Sequence, residues 1–219
     1  GRALLATQDF KSHPEVQEVL RTEGEHAAVL KAAELQSQEA FNTMYALIDL
    51  IAEGKTIYTG IPKISNYITN DGIPYLSDSQ VEELNSHAAA RGVKFDYKSP
   101  VTEDDVNLSK TNPNYKPTTR SQPTGFSAFQ ITLSTAEGAT IEFKITGELT
   151  TRITEAEHDI LYALTVGKDP KDGHDEWGIL YNPIMEAFKS MPETARKEVF
   201  RYISDCQTHA RKLELGFET

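Results

Sequence analysis

Residues 122–162, QPTGFSAFQITLSTAEGATIEFKITGELTTRITEAEHDILY, predict a β-hairpin followed by a helix. Apolar residues recur at every second position in both arms, as Phe129, Ile131 and Leu133 in the first and Ile141, Phe143 and Ile145 in the second. A turn centred on Ala136 to Gly138 pairs residues whose numbers sum to about 274. Even-numbered residues then face even-numbered ones, and the odd-numbered face is predicted to be apolar core.

The even-numbered face presents four chemically different side chains, those of Phe126, Gln130, Glu142 and Lys144. An aromatic ring, an amide, an acid and a base on rigid strands make a suitable platform for a bound ligand. The alternative interpretation is an antiparallel sheet with a solvated outer face, and the pattern alone favours it. The hairpin therefore predicts the sheet more firmly than it predicts a site.

The rest of the chain indicates an α+β fold in two parts. Residues 1–53 predict an N-terminal helical segment that Gly24 could divide, and residues 54–219 predict the main domain. In the main domain, residues 77–91 and 192–213 have helical patterns and residues 93–97 have the pattern of a short strand. Residues 99–122 are rich in Pro and Asn and predict a surface loop. The expected fold is a mixed β-sheet with a central antiparallel hairpin flanked by helices.

Composition restricts the partners and the compartment. The chain has 219 residues and a net charge of −11, which opposes unaided binding to DNA or to an anionic membrane because both need cationic surface. No apolar run approaches the ~20 residues of a membrane span. The single Cys206 excludes an intramolecular disulfide and a Cys-based zinc site and fits a reducing compartment. We expect a cytoplasmic protein, and a secreted effector acting in another cell's cytosol remains open.

One acid in the predicted helix after the hairpin lies on its apolar stripe. Glu157 is four residues from both Ile153 and Leu161, whereas Glu155 and Asp159 are expected to point away. A carboxylate directed at a core needs a partner or a ligand, because burying it unpaired costs several kcal/mol. Glu157 is therefore a candidate site residue.

Four motifs in order give the chain a resemblance to a known family. They are Gly125-Phe126-Ser127-Ala128-Phe129-Gln130 after the loop, Ile141-Glu142-Phe143-Lys144-Ile145 on the second strand, Glu157-His158 on the helix, and Tyr162 after it. This order resembles the synthetase domain of the RelA/SpoT alarmone synthetases over about residues 94–213. The resemblance implies a nucleotidyltransferase-like fold.

The resemblance also implies an activity. The family transfers pyrophosphate from ATP to the ribose 3′-hydroxyl of a guanine nucleotide and uses Mg²⁺. Phe126 would stack on the acceptor base, and Glu142 would activate the hydroxyl or hold Mg²⁺. Gln130, Lys144, Glu157 and His158 would line the nucleotide site, and Asp71 is the nearest candidate for a second metal-binding acid.

The sequence departs from the family at three basic positions. Gln130, Thr146 and Ala163 stand where the family has His, Arg and Lys. The first hypothesis is therefore a divergent pyrophosphate transfer from ATP to a nucleotide or an RNA end. The alternative is a catalytically degenerate member that binds a nucleotide or a protein in a bacterial toxin, effector or regulator. A third is an unrelated α+β domain.

Overall fold

A computed structural model describes residues 1–97, 119–121, 124–165, 183 and 186–218. The strands are β1 (Arg2–Leu5), β2 (Lys63–Ile68), β3 (Asp96–Tyr97), β4 (Thr119–Ser121), β5 (Ala128–Ser134) and β6 (Thr140–Gly147). The helices are α1 (Pro14–Glu23), α2 (Glu25–Ala52), α3 (Asp78–Ala90), α4 (Glu148–Thr165) and α5 (Glu193–Glu214), with a 3-10 turn at Phe10–Ser12. Within the part of the chain so described, no helix is long and apolar enough to cross a membrane.

The central hairpin has the register that the sequence predicts. Gln130 pairs with Lys144 and Thr132 pairs with Glu142, so that paired residue numbers sum to 274. The turn closes with a hydrogen bond from Gly138 N to Thr135 O (3.0 Å). Gly138 has φ +88°, a left-handed conformation that glycine adopts without steric cost. Alternation and turn glycine together therefore fixed the face of every residue in β5 and β6.

The hairpin lies inside a mixed sheet of order β1-β6-β5-β2-β3, with β4 also paired to β2. Strand β2 runs antiparallel to β5, while β1 is parallel to β6 and both β3 and β4 are parallel to β2. The expected mixed sheet with a central hairpin flanked by helices is confirmed. The segment 1–53 is not purely helical, because Arg2–Leu5 adds an edge strand to this sheet.

The odd-numbered face of the hairpin forms the main core. It packs against α2 and α3, and the buried side chains in contact include Phe41, Met44, Ile48, Leu84, Phe129, Ile131 and Ile145. Helix α2 starts after Gly24, whose φ of +94° separates it from α1, as the sequence predicts. Helix α3 starts at a capping box formed by Ser77 and Gln80. The sequence thus contains local signals for the helices that pack on this face, namely the glycine before α2 and the capping box of α3.

Helix α5 ends in a buried polar cluster that connects four parts of the fold. Arg211 and Glu214 are both fully buried, with 3.8 Å between Arg211 Nη1 and Glu214 Oε2. The Arg211 guanidinium lies 3.8 Å from the ring centroid of Tyr75 and donates to Gln36 Oε1 (2.5 Å) on α2 and to Pro74 O (3.0 Å). The cluster holds α2, the loop before α3, and the two C-terminal helices together.

The Glu214 carboxylate caps the start of α4. It accepts hydrogen bonds from Thr150 N (3.0 Å) and Thr150 Oγ1 (2.6 Å), and from Tyr75 Oη (2.7 Å). An anion at a helix N-terminus satisfies free N–H groups and the helix dipole. This carboxylate, distant in sequence, thus caps the first turn of α4, which begins at Glu148.

Burial also raises the pKa of the Tyr75 hydroxyl far above its ordinary value of 10.0, and Glu214 adds to this against the opposing effect of Arg211. The phenol therefore stays protonated and keeps donating to the Glu214 carboxylate.

Candidate functional site

The even-numbered sheet face carries the predicted site residues in three rows across the strands. Because directly paired residues share a face, the register gives the rows Asp96–Lys63–Thr132–Glu142, Ser65–Gln130–Lys144–Arg2, and Tyr67–Ala128–Thr146–Leu4. Exposure decreases from the first row, where Lys63 and Glu142 are exposed, toward the third, where Tyr67, Ala128 and Thr146 are buried. A ligand can therefore reach the exposed first row and, in the second row, Lys144 and Arg2, whereas Ser65 and Gln130 are buried.

Phe126 precedes β5 and lies at the buried end of this face. Its ring centroid is 5.4 Å from that of Tyr67 and 5.8 Å from Lys144 Nζ. The tight turn before it depends on Gly125, which has φ +71° and whose added Cβ would lie 2.9 Å from Ser204 Cα on α5. Phe126 is half-buried, so part of the ring remains available for stacking. The glycine thus lets the chain pass close to α5 and fixes the position of the ring.

Lys144 lies next to Phe126, and Glu142 lies next to Lys144 on the same face. Lys144 Nζ is 3.1 Å from Glu142 Oε1, and 32% and 44% of the two side chains are exposed. Gln130 is buried beside Lys144 in the second row. The structure therefore brings Phe126, Gln130, Glu142 and Lys144 together, as the parity of the hairpin predicts.

Asp71 lies at the other end of the sheet from Glu142. Glu142 is in the Lys63 row, and Asp71 follows Ile68 in the turn after β2, at least about 13 Å further along the strand direction. Asp71 Oδ1 accepts hydrogen bonds from Thr69 Oγ1 (2.6 Å) and from Thr208 Oγ1 (3.3 Å). Glu142 and Asp71 are thus not placed to share one metal ion, and Asp71 instead holds the turn against α5.

Glu157 and His158 lie on α4, which packs against β6 and α5. Glu157 is half-buried, as its place on the apolar stripe predicts, and His158 is exposed. Glu155, expected to point away, is indeed exposed and pairs with Arg2 of the second row (3.0 Å). This ion pair brings α4 to the outer edge of the even-numbered face. The side chain of Tyr162 lies outside the described residues.

Metal binding has a limited basis in the described residues. Among them, no group of three or more His, Cys, Asp or Glu side chains is placed to hold a metal ion. Mg²⁺ is commonly held by one or two carboxylates together with substrate phosphates. The predicted pair of Glu142 and Asp71 does not fit such a site.

Three residues of β2 also lie on this face, and the sequence did not indicate their position there. Lys63, Ser65 and Tyr67 alternate with Ile64 and Asn66, whose side chains lie on the core face. The period-2 pattern of KISNYI was the available signal, but the surrounding Pro and Gly residues obscured it.

Comparison with known proteins adds no relative. No family model, curated protein or solved structure matches the chain. The likeness to RelA/SpoT synthetases therefore rests on the motifs between residues 125 and 162 alone.

Proposed function

We propose that the even-numbered face binds a nucleotide and that the protein transfers pyrophosphate from ATP to the 3′-hydroxyl of a nucleotide or an RNA end. The observation that carries this proposal is the adjacency of three groups: the Phe126 ring, the Lys144 ammonium 5.8 Å from it, and the Glu142 carboxylate 3.1 Å from that ammonium. The ring can stack on a base, the cation can pair with a phosphate, and the acid can take a proton from a hydroxyl group.

Each residue has a chemical role in this proposal. The half-buried Phe126 ring stacks on a base, and Lys144 turns from Glu142 to a phosphate oxygen once the nucleotide is bound. Glu142 accepts the proton of the 3′-hydroxyl as its oxygen attacks the β-phosphorus of ATP. The bond from that phosphorus to the bridging oxygen breaks, and AMP leaves with that oxygen. Glu157 and His158 line the same pocket from α4.

The resemblance implies Mg²⁺ as a cofactor, which would neutralise the phosphate charge during transfer. Glu142 and Asp71 lie too far apart to hold this ion together, so the described residues do not form the metal site that the resemblance implies.

Binding without turnover is the second candidate function. The observation that favours it is Gln130, buried beside Lys144 where the family has a His. A side-chain amide does not act as a general acid or base near neutral pH, so Gln130 is better suited to hydrogen-bonding a ligand than to proton transfer. In this form the protein is a nucleotide- or protein-binding module of a toxin, effector or regulator, with the cytoplasm as its place of action.

AMP formation from ATP tests the transfer reaction. Wild type is incubated with Mg²⁺, ATP and GDP, GTP or an RNA as acceptor, beside Glu142→Gln, Phe126→Ala and the exposed control Glu193→Gln. We expect Glu142→Gln to lower turnover by about 10²-fold or more and Phe126→Ala to weaken acceptor binding about tenfold, with the control unchanged. Absence of AMP with every acceptor would rule out transfer.

Calorimetric titration with ATP, GTP and GDP then separates the two candidates. Binding heat without turnover supports the module, and neither heat nor turnover contradicts both functions.

A further inference from the structure

The basic groups that the family supplies elsewhere have a counterpart on the sheet face itself. Lys63, Lys144 and Arg2 all belong to its first two rows, on β2, β6 and β1. None of the three lies on a helix. The chain therefore presents cations from three strands on the same sheet face as Phe126 and Glu142, within a protein of net charge −11.

The three cations differ in whether the protein already neutralises them. Arg2 pairs with Glu155 at 3.0 Å and Lys144 pairs with Glu142 at 3.1 Å. Among the residues that the structure describes, Lys63 has no carboxylate oxygen within 4.0 Å, and its side chain is exposed at the open end of the face. Asp96, the direct partner of Lys63 on β3, lies on the same face, but among the described residues no carboxylate forms an ion pair with Lys63 that an incoming anion would have to break.

The distances along β2 set the direction of a bound nucleotide. Phe126 contacts Tyr67, and Lys63 is four residues from Tyr67, about 13 Å along the strand. Lys144 lies one row from Lys63 and touches Phe126. A base at Phe126 therefore places the first phosphate near Lys144, and only a later phosphate reaches the Lys63 ammonium.

We propose that Lys63 is the anion-binding residue of this face, and that a nucleoside di- or triphosphate lies along the strands with its base at Phe126 and its terminal phosphates at Lys63. This inference rests on the proposed nucleotide site. It makes the number of phosphates, and not the base alone, a determinant of affinity.

The test compares a nucleoside with its mono- and diphosphate, and adds a polyphosphate that has no base. Guanosine, GMP, GDP and inorganic tripolyphosphate are titrated calorimetrically into wild type, Lys63→Ala, Lys63→Arg and Lys197→Ala. Lys197 is the matched control because it is an exposed lysine on α5, remote from the face, paired with Glu193. Circular dichroism confirms that each variant is folded, which the exposure of Lys63 leads us to expect.

Lys63→Ala should weaken GDP binding about tenfold and guanosine binding less than about twofold, with Lys63→Arg close to wild type. Equal GDP affinity in Lys63→Ala and Lys197→Ala overturns the inference and leaves the proposed function standing. If wild type binds tripolyphosphate through Lys63 but no nucleotide, the proposed nucleotide site fails and the anion-binding role is supported. Wild type that binds neither ligand overturns both.

Discussion

Glu214→Ala should destabilise the whole fold, because it breaks the polar cluster at the end of α5. The carboxylate is fully buried and accepts hydrogen bonds from Tyr75 Oη, Thr150 N and Thr150 Oγ1. It is also the only carboxylate among the described residues within 4.0 Å of the buried Arg211 guanidinium, at 3.8 Å. Alanine at this position leaves Thr150 N and one of the two hydroxyls without an acceptor, because Tyr75 Oη can still donate to Thr150 Oγ1 (2.8 Å). It also leaves one buried cation without its counter-charge.

The expected cost follows from that inventory. Removing one partner of a buried ion pair costs about 3–5 kcal/mol, most of it from the charge left behind. For a chain of this size, that loss lowers Tm by roughly 6–20 °C. Glu214→Gln keeps the shape and one acceptor oxygen but leaves the same Arg211 charge uncompensated, so its cost should fall at the lower end of that range, about 3 kcal/mol.

Urea unfolding followed by circular dichroism measures both variants against Glu193→Ala, an exposed carboxylate at the opposite end of the same helix. Glu193→Ala should leave the unfolding midpoint nearly unchanged. In a double-mutant cycle, Glu214→Gln should cost less in the Arg211→Met background, because the charge it would strand is gone. A loss below about 1 kcal/mol for Glu214→Ala, or strictly additive costs in the cycle, would refute the reasoning.

Two further predictions concern the same cluster. Gly147→Ala should cost about 2–3 kcal/mol or more of unfolding free energy, because the added Cβ would lie 1.5 Å from Glu214 Oε2. The Cβ of Gly138→Ala meets no atom within 4 Å, so this variant should cost only about 1 kcal/mol for its positive φ. Equal urea midpoints for the two variants would contradict the clash. Tyr75 is neutral in both states below its ordinary pKa of 10.0; above that pH the unfolded chain ionises while the folded protein resists, so stability falls as pH rises. In unfolding measured at several pH values, Tyr75→Phe should reduce the fall of unfolding free energy at alkaline pH, and the exposed control Tyr202→Phe should not. Identical slopes of unfolding free energy against pH for the two variants would count against a buried neutral phenol.

The parts of the fold that follow from local sequence were predictable. Alternation in the hairpin and a glycine in its turn fix the register, since a slip of one residue would move every apolar side chain to the wrong face. The break at Gly24 and the cap at Ser77 are equally local signals. For the same reason the four hairpin residues of the candidate site were found together without a structure.

Other features depend on partners that are distant in sequence. The apolar stripe of α5 predicts burial of Leu213, yet the fully buried residues of its last turns include Arg211 and Glu214. Their burial depends on Tyr75, Thr150 and Gln36, contributed by other elements. A charged residue can be buried where such partners exist, and a single helix pattern does not contain them.

Asp71 illustrates a second limit. Its position after β2 is clear from the sequence, but the end of the sheet on which it lies depends on the antiparallel pairing of β2 with β5. The resemblance therefore suggested a position for Asp71 near Glu142 that the assembled sheet does not provide. The same pairing places Lys63, Ser65 and Tyr67 beside the hairpin, which only the assembled sheet reveals.

Strand β1 has a consequence for how the chain avoids self-association. It covers the outer edge of β6, a strand rich in β-branched and aromatic residues whose free backbone groups would otherwise accept a strand from another molecule. Arg2 and Lys144 are paired across 142 residues of chain, so closing this contact carries a loop-closure entropy cost, and we expect β1 to cover the edge of β6 late in folding. Refolding yield should therefore fall with protein concentration more steeply than the native state's own tendency to associate would suggest.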